Sequence, residues 1–254
     1  MAKMKITREE ALAFHLEPTP GKWEVSATVP MMTQRDLSLA YSPGVAVPCE
    51  AIAENPELAY DYTNKGNLVA VISNGTAVLG LGNLGALGSK PVMEGKSVLF
   101  KRFADVNSID IELDTEDPDA FCKAVKLMGP SFGGINLEDI KAPECFIIEQ
   151  RWKEEMDIPV FHDDQHGTAV ICAAGLINAL HISKKKIEDV KIVLNGAGAA
   201  GIACIELLKS MGAKHQNCFV CDSKGVIYQG RTEGMNQWKS AHAVKTESRS
   251  LDQV

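Results

Sequence analysis

The chain has 254 residues, of which 45% are hydrophobic and 23% are charged, and its formal net charge is −7 at pH 7. These values are typical of a globular protein with one large or two modest domains. The negative charge argues against a nucleic-acid partner or an acidic membrane surface, and the first ten residues lack the apolar core of a signal peptide.

No apolar run approaches the roughly 20 residues needed to cross a bilayer, so we expect no membrane partner. The longest apolar stretch, around 170–180, is predicted to be a buried helix. Cys218 and Cys221 lie three apart in a strand pattern and face opposite sides, which disfavours a metal or redox pair. The odd number of cysteines, seven, favours reduced core thiols in a cytoplasmic protein; four in apolar settings are Cys122, Cys145, Cys172 and Cys204.

The first half of the chain begins with a capping box, Thr7 and Glu10, which predicts a short helix. A polar, proline-rich stretch follows, and Tyr41–Val45 is predicted to be a turn. Further on, the pattern predicts strands at 68–73 and 76–79, a buried element at 97–103 and a strand at 109–113.

One glycine run in this half, Gly80-x-Gly82-x-x-Gly85, matches the spacing of a phosphate-binding turn. It is followed by Gly88 and Pro91, which disfavour a helix. Because a phosphate site of this kind needs a helix N-terminus, we interpret the run as a loop or a turn.

The second half begins with a helix at 117–128, which starts at Asp117-Pro118. A short strand is predicted at 158–161 and a helix at 168–180. A basic linker, 184–186, then leads to the most informative segment of the chain.

That segment, 191–213, has the order strand, glycine turn, helix. Gly196 allows the tight turn, Gly198 lets the backbone approach a pyrophosphate, and Gly201 lets the helix pack against its strand. The helix N-terminus directs N–H groups at the phosphates. We therefore predict a dinucleotide site formed by Asn195, Gly196, Ala197, Gly198, Ala199, Ala200 and Gly201.

Asp222 ends a second apolar run, where a carboxylate would bind the ribose hydroxyls. Its charge argues for NAD because it repels a 2′-phosphate, although Lys224 and Arg231 are near in sequence and could accommodate one. Beyond Asp222 the chain is polar, whereas a doubly wound domain needs two βαβ halves. We expect a truncated nucleotide domain, part of a longer protein, that is poorly packed after Asp222.

Two acidic clusters lie at the ends of apolar segments, where α/β proteins present ligands. One contains Glu138 and Asp139, and the other contains Asp164. The alternative is a solvated surface, but three converging carboxylates would favour a cation, and oxygen ligands select Mg²⁺ or Mn²⁺. Zinc is a weaker alternative: His162 and His166 are four apart, but they follow a strand and need not share a helical face.

The ordered motifs resemble those of malic enzymes of the smaller bacterial type, along essentially the whole chain up to about Asp222. The segments that carry the resemblance are AYSPGVAVPCE (40–50), NGTAVLGLGNLG (74–85), KPVMEGKSVLFK (90–101), FGGINLEDI (132–140), FHDDQHGTA (161–169) and NGAGAAG (195–201). The resemblance implies an α/β fold with an N-terminal substrate and metal domain, 1–163, followed by a partial Rossmann domain that binds NAD(P), 164–254. Some bacterial members continue into a domain resembling phosphotransacetylase.

The resemblance further implies oxidative decarboxylation of L-malate to pyruvate and CO₂, with NADP, or alternatively NAD, and Mg²⁺ or Mn²⁺ as cofactors. It places the metal ligands at Glu138, Asp139 and Asp164, the general acid at Tyr41 and the general base at Lys96. A lysine, with a reference pKa of about 10.4, acts as a base only where its neutral form is favoured, as beside a divalent cation in a dry site.

The resemblance also implies a homodimer or higher homo-oligomer, paired mainly through residues before about Pro130. Two features depart from it or compete with it. Larger family members carry an arginine for the substrate carboxylate where this chain has 74–77 without a cation. Tyr62 and Lys65 are rivals of the acid–base pair in composition only.

Two other functions stay open. A simple 2-hydroxy-acid dehydrogenase would need no metal and would use a histidine–arginine pair. A truncated fragment that folds and dimerises without turnover is favoured by the incomplete nucleotide domain. Metal dependence with CO₂ release separates these alternatives.

Overall fold

The computed structural model describes residues 6–254, so the first five residues, in which part of the signal-peptide prediction falls, lie outside the described range. The chain divides into two compact units. The first unit contains the residues up to Asn136 together with Trp152–Val160, and the second contains Leu137–Arg151 and Phe161–Val254. The chain therefore crosses between the units after Asn136, after Arg151 and after Val160.

The helices and strands follow one another in the order expected of an α/β protein. Up to the last crossing they are α1 (Arg8–Leu16), α2 (Gln34–Ala40), α3 (Ala46–Glu54), α4 (Ala59–Tyr62), β1 (Leu68–Ser73), α5 (Gly85–Ala104), β2 (Asn107–Glu112), α6 (Pro118–Met128), β3 (Gly134–Leu137), α7 (Glu144–Glu155) and β4 (Val160–His162). After it they are α8 (Asp163–Ser183), β5 (Ile192–Asn195), α9 (Ala199–Ser210), β6 (Cys218–Asp222), β7 (Gly225–Val226) and α10 (Gln237–Ser240).

A four-stranded sheet has the order β2-β1-β3-β4; its strands β1 and β2 lie in the first unit, and the divisions between the units fall within β3 and β4. Strands β1 and β2 are parallel, with Leu68 opposite Asn107 and Ser73 opposite Glu112. Residues Ala70, Val71 and Ile72 of β1 are completely buried, as expected for an inner strand covered on both faces. The predicted strand at 68–73 is confirmed, and the one at 109–113 is shifted by two residues at its start.

Two predicted helix starts are confirmed by their caps. The Thr7 side chain accepts a hydrogen bond from the Glu10 backbone N–H, and the Glu10 carboxylate accepts one from the Thr7 N–H. Asp117 caps α6, which has Pro118 at its first position. Both caps satisfy backbone donors that the first helical turn leaves without an intrahelical partner.

The first glycine run forms a turn and loop over 80–84, as interpreted, but the expectation that no helix follows it is wrong. Helix α5 begins at Gly85 and continues through Gly88 and Pro91 for 20 residues. A proline inside a helix costs about 3 kcal/mol or more. The cost is offset because α5 packs one face, including Met93 and Ser97, against the sheet. The segment 97–103 is the second half of this helix, but the prediction that it is buried is wrong, because Leu99 and Phe103 are 48% and 81% exposed.

The predicted strand at 76–79 is also wrong. The residues between β1 and α5 form turns, with one isolated bridge between Val78 and Gly82. The Gly75 carbonyl accepts hydrogen bonds from the backbone N–H groups of Leu84 and Gly85 at 3.0 and 3.1 Å. These bonds close the segment into a loop, so its backbone does not extend as a strand.

The second unit contains a three-stranded sheet with the order β5-β6-β7. Strand β5 is parallel to β6, and β7 is antiparallel to it. The predicted order of strand, glycine turn, helix and strand is confirmed. Strand β5 is less buried than predicted, since Val193 is 40% exposed.

The prediction of poor packing after Asp222 is wrong. Val226, Ile227 and Val244 are each at most 1% exposed, and a parallel bridge joins Tyr228 to Val244. The segment is therefore ordered around the edge of β6. Its buried apolar runs are only two or three residues long, too short to produce a strand pattern.

Helix α8 differs from its prediction in length and burial. It starts five residues earlier than expected and has 21 residues, so by length and composition it could cross a membrane, contrary to expectation. It is not the buried helix expected, because Val170 and Ile171 are 56% and 73% exposed. Cys172 on this helix is likewise exposed, not a core thiol. Its buried face, with Ala169 and Ala173, packs against α9.

Candidate functional site

Three carboxylates from two segments converge in the second unit. Glu138 and Asp139 directly follow β3. Asp164 is the second residue of α8, which begins directly after β4. One oxygen of each lies within 4.8 Å of the others. Glu138 and Asp139 are 6% and 5% exposed, so this is not a solvated acidic surface.

The backbone at Asp139 holds the two segments together. Asp139 has φ +53°, in the left-handed region, which costs a non-glycine residue roughly 1–2 kcal/mol. Its backbone N–H donates a hydrogen bond of 2.8 Å to Asp164 Oδ2. An uncommon backbone conformation at a cluster of acids is typical of a functional site.

The chemistry of this cluster fits a hard divalent cation. All three potential ligands are carboxylate oxygens, which Mg²⁺ and Mn²⁺ prefer over softer ligands. Like charges held this close also repel one another unless a cation lies between them. Glu138, Asp139 and Asp164 are therefore the residues that would hold such an ion.

The two histidines of the zinc alternative have different surroundings. His162 is fully buried at the N-cap of α8, where burial lowers its pKa, and its Nδ1 lies 3.8 Å from Asp164 Oδ2. His166 Nε2 lies 2.6 Å from Glu149 Oε1. Within residues 6–254, the group of three or more ligand-type side chains close enough to share an ion is the carboxylate trio, and neither histidine belongs to it.

Sequence reasoning missed Glu149, a buried acid on α7. The signal was available in the chain. Cys145, Ile148 and Trp152 are buried at helical spacing, and Glu149 stands in that apolar stripe. A charged residue on a buried face is uncommon without a partner, and its partner here is His166.

Tyr41 and Lys96 both belong to the first unit. Tyr41 is the C-cap residue that follows α2, and it is 71% exposed. Lys96 lies in the middle of α5 and is half-buried. The rival Lys65 has a structural environment. Its Nζ donates to the carbonyl oxygens of Gly129 and Phe132 at 3.2 and 2.5 Å, and burial lowers its pKa.

The glycine turn of the second unit is open on one side and crowded on the other. Gly196 has φ +131°, which favours glycine, and Gly198 precedes the first residue of α9. A Cβ at either position would meet no atom within 4 Å, whereas a Cβ on Gly201 would collide with the Gly196 carbonyl oxygen. The turn thus leaves room for a ligand at Gly196 and Gly198, and Gly201 allows close packing of helix and turn.

We expect Gly201→Ala to weaken binding of the dinucleotide by roughly 10- to 100-fold, because overpacking of this kind costs about 1–3 kcal/mol and displaces the turn. Gly175→Ala is the matched control, since a Cβ there has no atom within 4 Å and alanine favours the helix. Fluorescence titration with NADPH measures both variants. Equal affinity of Gly201→Ala and the unchanged chain would contradict this role.

Asp222 does not present a free carboxylate at the end of β6. Its oxygens accept hydrogen bonds from Arg231 Nη2 at 2.8 and 2.9 Å and from Lys239 Nζ at 2.9 Å. Burial opposes its ionisation, but the bonds from Lys239 and Arg231 outweigh burial and hold the pKa of the carboxyl below its usual range. With the neighbouring ion pair of Lys224 and Glu233, the cluster has two acids and three cations, so the local charge is positive. Sequence reasoning missed Lys239, which is 17 residues away and has no motif to mark it.

Comparison with known proteins identifies two consecutive family matches. Residues 20–153 match the malic enzyme N-terminal domain, and residues 165–253 match the malic enzyme NAD-binding domain. The first match alone includes more than half of the chain.

Individual relatives agree with these matches. The chain is 70% identical over 250 residues to an NADP-dependent malic enzyme of Rhizobium meliloti, covering 98% of this chain and 33% of the relative. It therefore spans about a third of the length of that curated relative. Two solved structures are similar with TM-scores of 0.89: the malic enzyme of Pyrococcus horikoshii (47% identity, 94% of this chain and 57% of that one) and the NAD-dependent malic enzyme of Thermotoga maritima (45% identity, 98% and 66%).

Proposed function

The chain belongs to the malic enzyme family, and from that membership we propose that it supports oxidative decarboxylation of L-malate to pyruvate and CO₂ with reduction of NADP or NAD. The observation that carries the proposal is the convergence of Glu138, Asp139 and Asp164 within 4.8 Å in the unit that also holds the glycine turn. A dehydrogenase that stops at the keto acid needs no such oxygen cluster.

Each candidate residue has a role in this proposal. Lys96 accepts the proton of the C2 hydroxyl while hydride passes to the nicotinamide, and Tyr41 protonates the enol carbon to give pyruvate. The carboxylate trio would hold Mg²⁺ or Mn²⁺, which would supply Lewis acidity for the loss of CO₂ from oxaloacetate between these two steps. The Asn195–Gly201 turn and the N-terminus of α9 bind the cofactor pyrophosphate.

The test is to incubate the 254-residue chain with L-malate, NADP and Mn²⁺ and to follow NADPH absorbance and CO₂. We expect equal amounts of both products, and neither after chelation of the metal. NADPH without CO₂ would instead indicate a 2-hydroxy-acid dehydrogenase. A folded chain that binds Mn²⁺ and NADPH but forms neither product would indicate the non-catalytic fragment.

For the cofactor we propose NADP in preference to NAD. A free Asp222 carboxylate would favour NAD because its charge repels a 2′-phosphate. Arg231 and Lys239 neutralise this carboxylate and leave a net positive cluster. A positive cluster attracts a 2′-phosphate. Relatives named for each cofactor occur, as the Rhizobium meliloti and Thermotoga maritima proteins show.

We expect Lys239→Gln to weaken NADPH binding by roughly tenfold or more and to leave NADH binding within about twofold, since hydrogen bonds between charged groups contribute about 1.5–3 kcal/mol. Lys214→Gln, an exposed lysine of the same unit, is the control. The ratio of the two dissociation constants is the measurement. A ratio unchanged from that of the unsubstituted chain would remove Lys239 from cofactor selection.

We further propose a domain boundary at 163/164, with the substrate residues and two of the three metal ligands before it, and Asp164 and the nucleotide turn after it. The gap between the two family matches, 154–164, supports this division.

For the location we propose the cytoplasm. All seven cysteines are free, as a reducing compartment would keep them.

The homodimer proposal rests on the first three helices, none of which has a buried residue. Their large apolar side chains lie exposed, among them Phe14 at 73%, Leu39 at 61% and Val47 at 69%. Exposed large apolar side chains in this number are typical of an interface. A second copy of this chain is the partner we propose for it.

Light scattering of the 254-residue chain at micromolar concentration should give at least twice the mass of one chain. Phe14→Asp should shift the chain toward the monomer, because the substitution places a charge in the proposed interface. Ile182→Asp, which changes an equally exposed residue outside this surface, should not. A stable monomer of the unsubstituted chain would refute the dimer.

A further inference from the structure

Two cysteines face each other where helices α8 and α9 pack together. Cys172 lies on α8 and Cys204 lies on α9, and the Cys172 thiol is close enough to influence the ionisation of the Cys204 thiol. Both belong to the second unit and both are reduced in this structure. The pair lies outside the carboxylate cluster and the glycine turn, and the proposed reaction does not use it.

The packing of the two helices holds the thiols together. Ala169, one turn before Cys172, packs against Ala203 and Cys204. One residue after Cys172, Ala173 lies in the core cluster that contains Ile205. Since Ala169, Ala173 and Ala203 are small, the two helices can pack closely around the cysteines.

The two thiols differ in access to solvent. Cys172 is exposed, whereas Cys204 is 3% exposed, and burial, together with the neighbouring Cys172 thiol, raises the pKa of Cys204 to about 11. An oxidant from solvent therefore meets Cys172 first, and Cys204 lies where it can react second. Cys218 and Cys221, both buried on β6, lack this combination of an exposed and a buried member.

We propose that Cys172 and Cys204 are a redox-modification site, at which a peroxide converts the two thiols into a reversible disulfide between α8 and α9. The Cys172 sulfur attacks the peroxide and breaks its O–O bond, which gives a sulfenic acid and an alcohol, or water from hydrogen peroxide. The Cys204 sulfur then attacks the Cys172 sulfur; the S–O bond breaks, and the leaving hydroxide takes the Cys204 proton as water. Two thiols are oxidised and one peroxide is reduced. A dithiol reductant reverses the modification.

Thiol counting and peptide mapping of the 254-residue chain test the site. After brief treatment with hydrogen peroxide and denaturation, the free thiols should fall from the seven in the sequence to five. Trypsin cleaves at Lys153, Lys184, Lys191 and Lys209, which leaves Cys172 and Cys204 in separate peptides with no other cysteine. Mass spectrometry without reductant should find these two peptides joined, and dithiothreitol should separate them.

Three variants complete the test. Cys172→Ser should keep all six remaining thiols. Cys204→Ser, in which the Cys172 sulfenic acid has no second thiol to react with, should lose one. Cys49→Ser, which removes an exposed cysteine of the first unit, should still lose two. Seven thiols retained by the unsubstituted chain, a disulfide between two chains, or Cys172 found as sulfinic acid would each overturn the proposal. Peptide mapping of the unsubstituted chain decides the question even if a serine variant does not fold.

Discussion

Lys96→Ala is expected to reduce formation of NADPH from L-malate by about 10²–10⁴-fold, the usual cost of losing a positioned acid or base. The helix should survive, because alanine is the most favourable helix former and Lys96 lies in the interior of α5. Decarboxylation of added oxaloacetate should be affected much less, since this substrate enters after the oxidation step.

Tyr41→Phe should slow pyruvate formation from both substrates, unlike Lys96→Ala. Removal of the hydroxyl suppresses protonation of the enol, so pyruvate should form slowly from malate and from oxaloacetate alike, while Mn²⁺ affinity is kept. The matched control for Lys96→Ala is Lys101→Ala, which lies on the same helix, α5. The matched control for Tyr41→Phe is Tyr62→Phe, which changes another exposed tyrosine. Release of pyruvate at the normal rate by Tyr41→Phe would show that Tyr41 is not the acid.

Asp164→Asn is expected to weaken Mn²⁺ binding by roughly 100-fold or more. Loss of a residue that only supports a ligand typically costs 10- to 100-fold, and loss of a ligand charge should cost at least as much. The amide oxygen of asparagine can still accept the hydrogen bond from the Asp139 N–H, so the backbone contact is retained and the effect reports charge. Isothermal titration with Mn²⁺ measures it without any need for turnover.

Asp163→Asn provides the control for this titration, because it removes the same charge from the same helical turn outside the trio. We expect its Mn²⁺ affinity to stay within about threefold of the unsubstituted value. Wild-type affinity in Asp164→Asn would mean that the trio is not the metal site.

Local sequence was sufficient where the determinants of structure were local. The capping box at Thr7, the Asp117-Pro118 helix start and the Gly196–Gly201 turn are each defined by residues within about one turn of one another, and all three elements occur as predicted. Such motifs satisfy backbone donors or set dihedral angles by themselves. Tertiary packing had no opportunity to override them.

Helix α5 shows the opposite case. Gly88 and Pro91 are strong local signals against a helix, but Met93, Ser89 and Ser97 are at most 2% exposed on its packed face. Burial of that face depends on strands that precede and follow the helix in sequence. A local pattern cannot report such contacts, so the sequence predicted a break where the fold has continuous helix.

In the candidate site, too, local features could be predicted from the sequence and contacts between distant residues could not. The carboxylates could be predicted as ligands because each ends an apolar segment, but their assignment to one cluster came from resemblance. The state of Asp222 could not be predicted, because Arg231 and Lys239 approach it from a segment with no strand or helix pattern. A lone acid at a strand end looks the same in sequence whether or not cations neutralise it.

The three crossings between the two units have a consequence for synthesis and for protein engineering. The first unit needs Trp152–Val160, so during translation it cannot be completed until Leu137–Arg151, a part of the second unit, has already emerged from the ribosome. A chain that ends at Asn136 therefore lacks part of the first unit. The same order means that a gene cut at 163/164 yields two products, one carrying Glu138 and Asp139 and the other Asp164, so neither piece alone inherits the complete carboxylate trio.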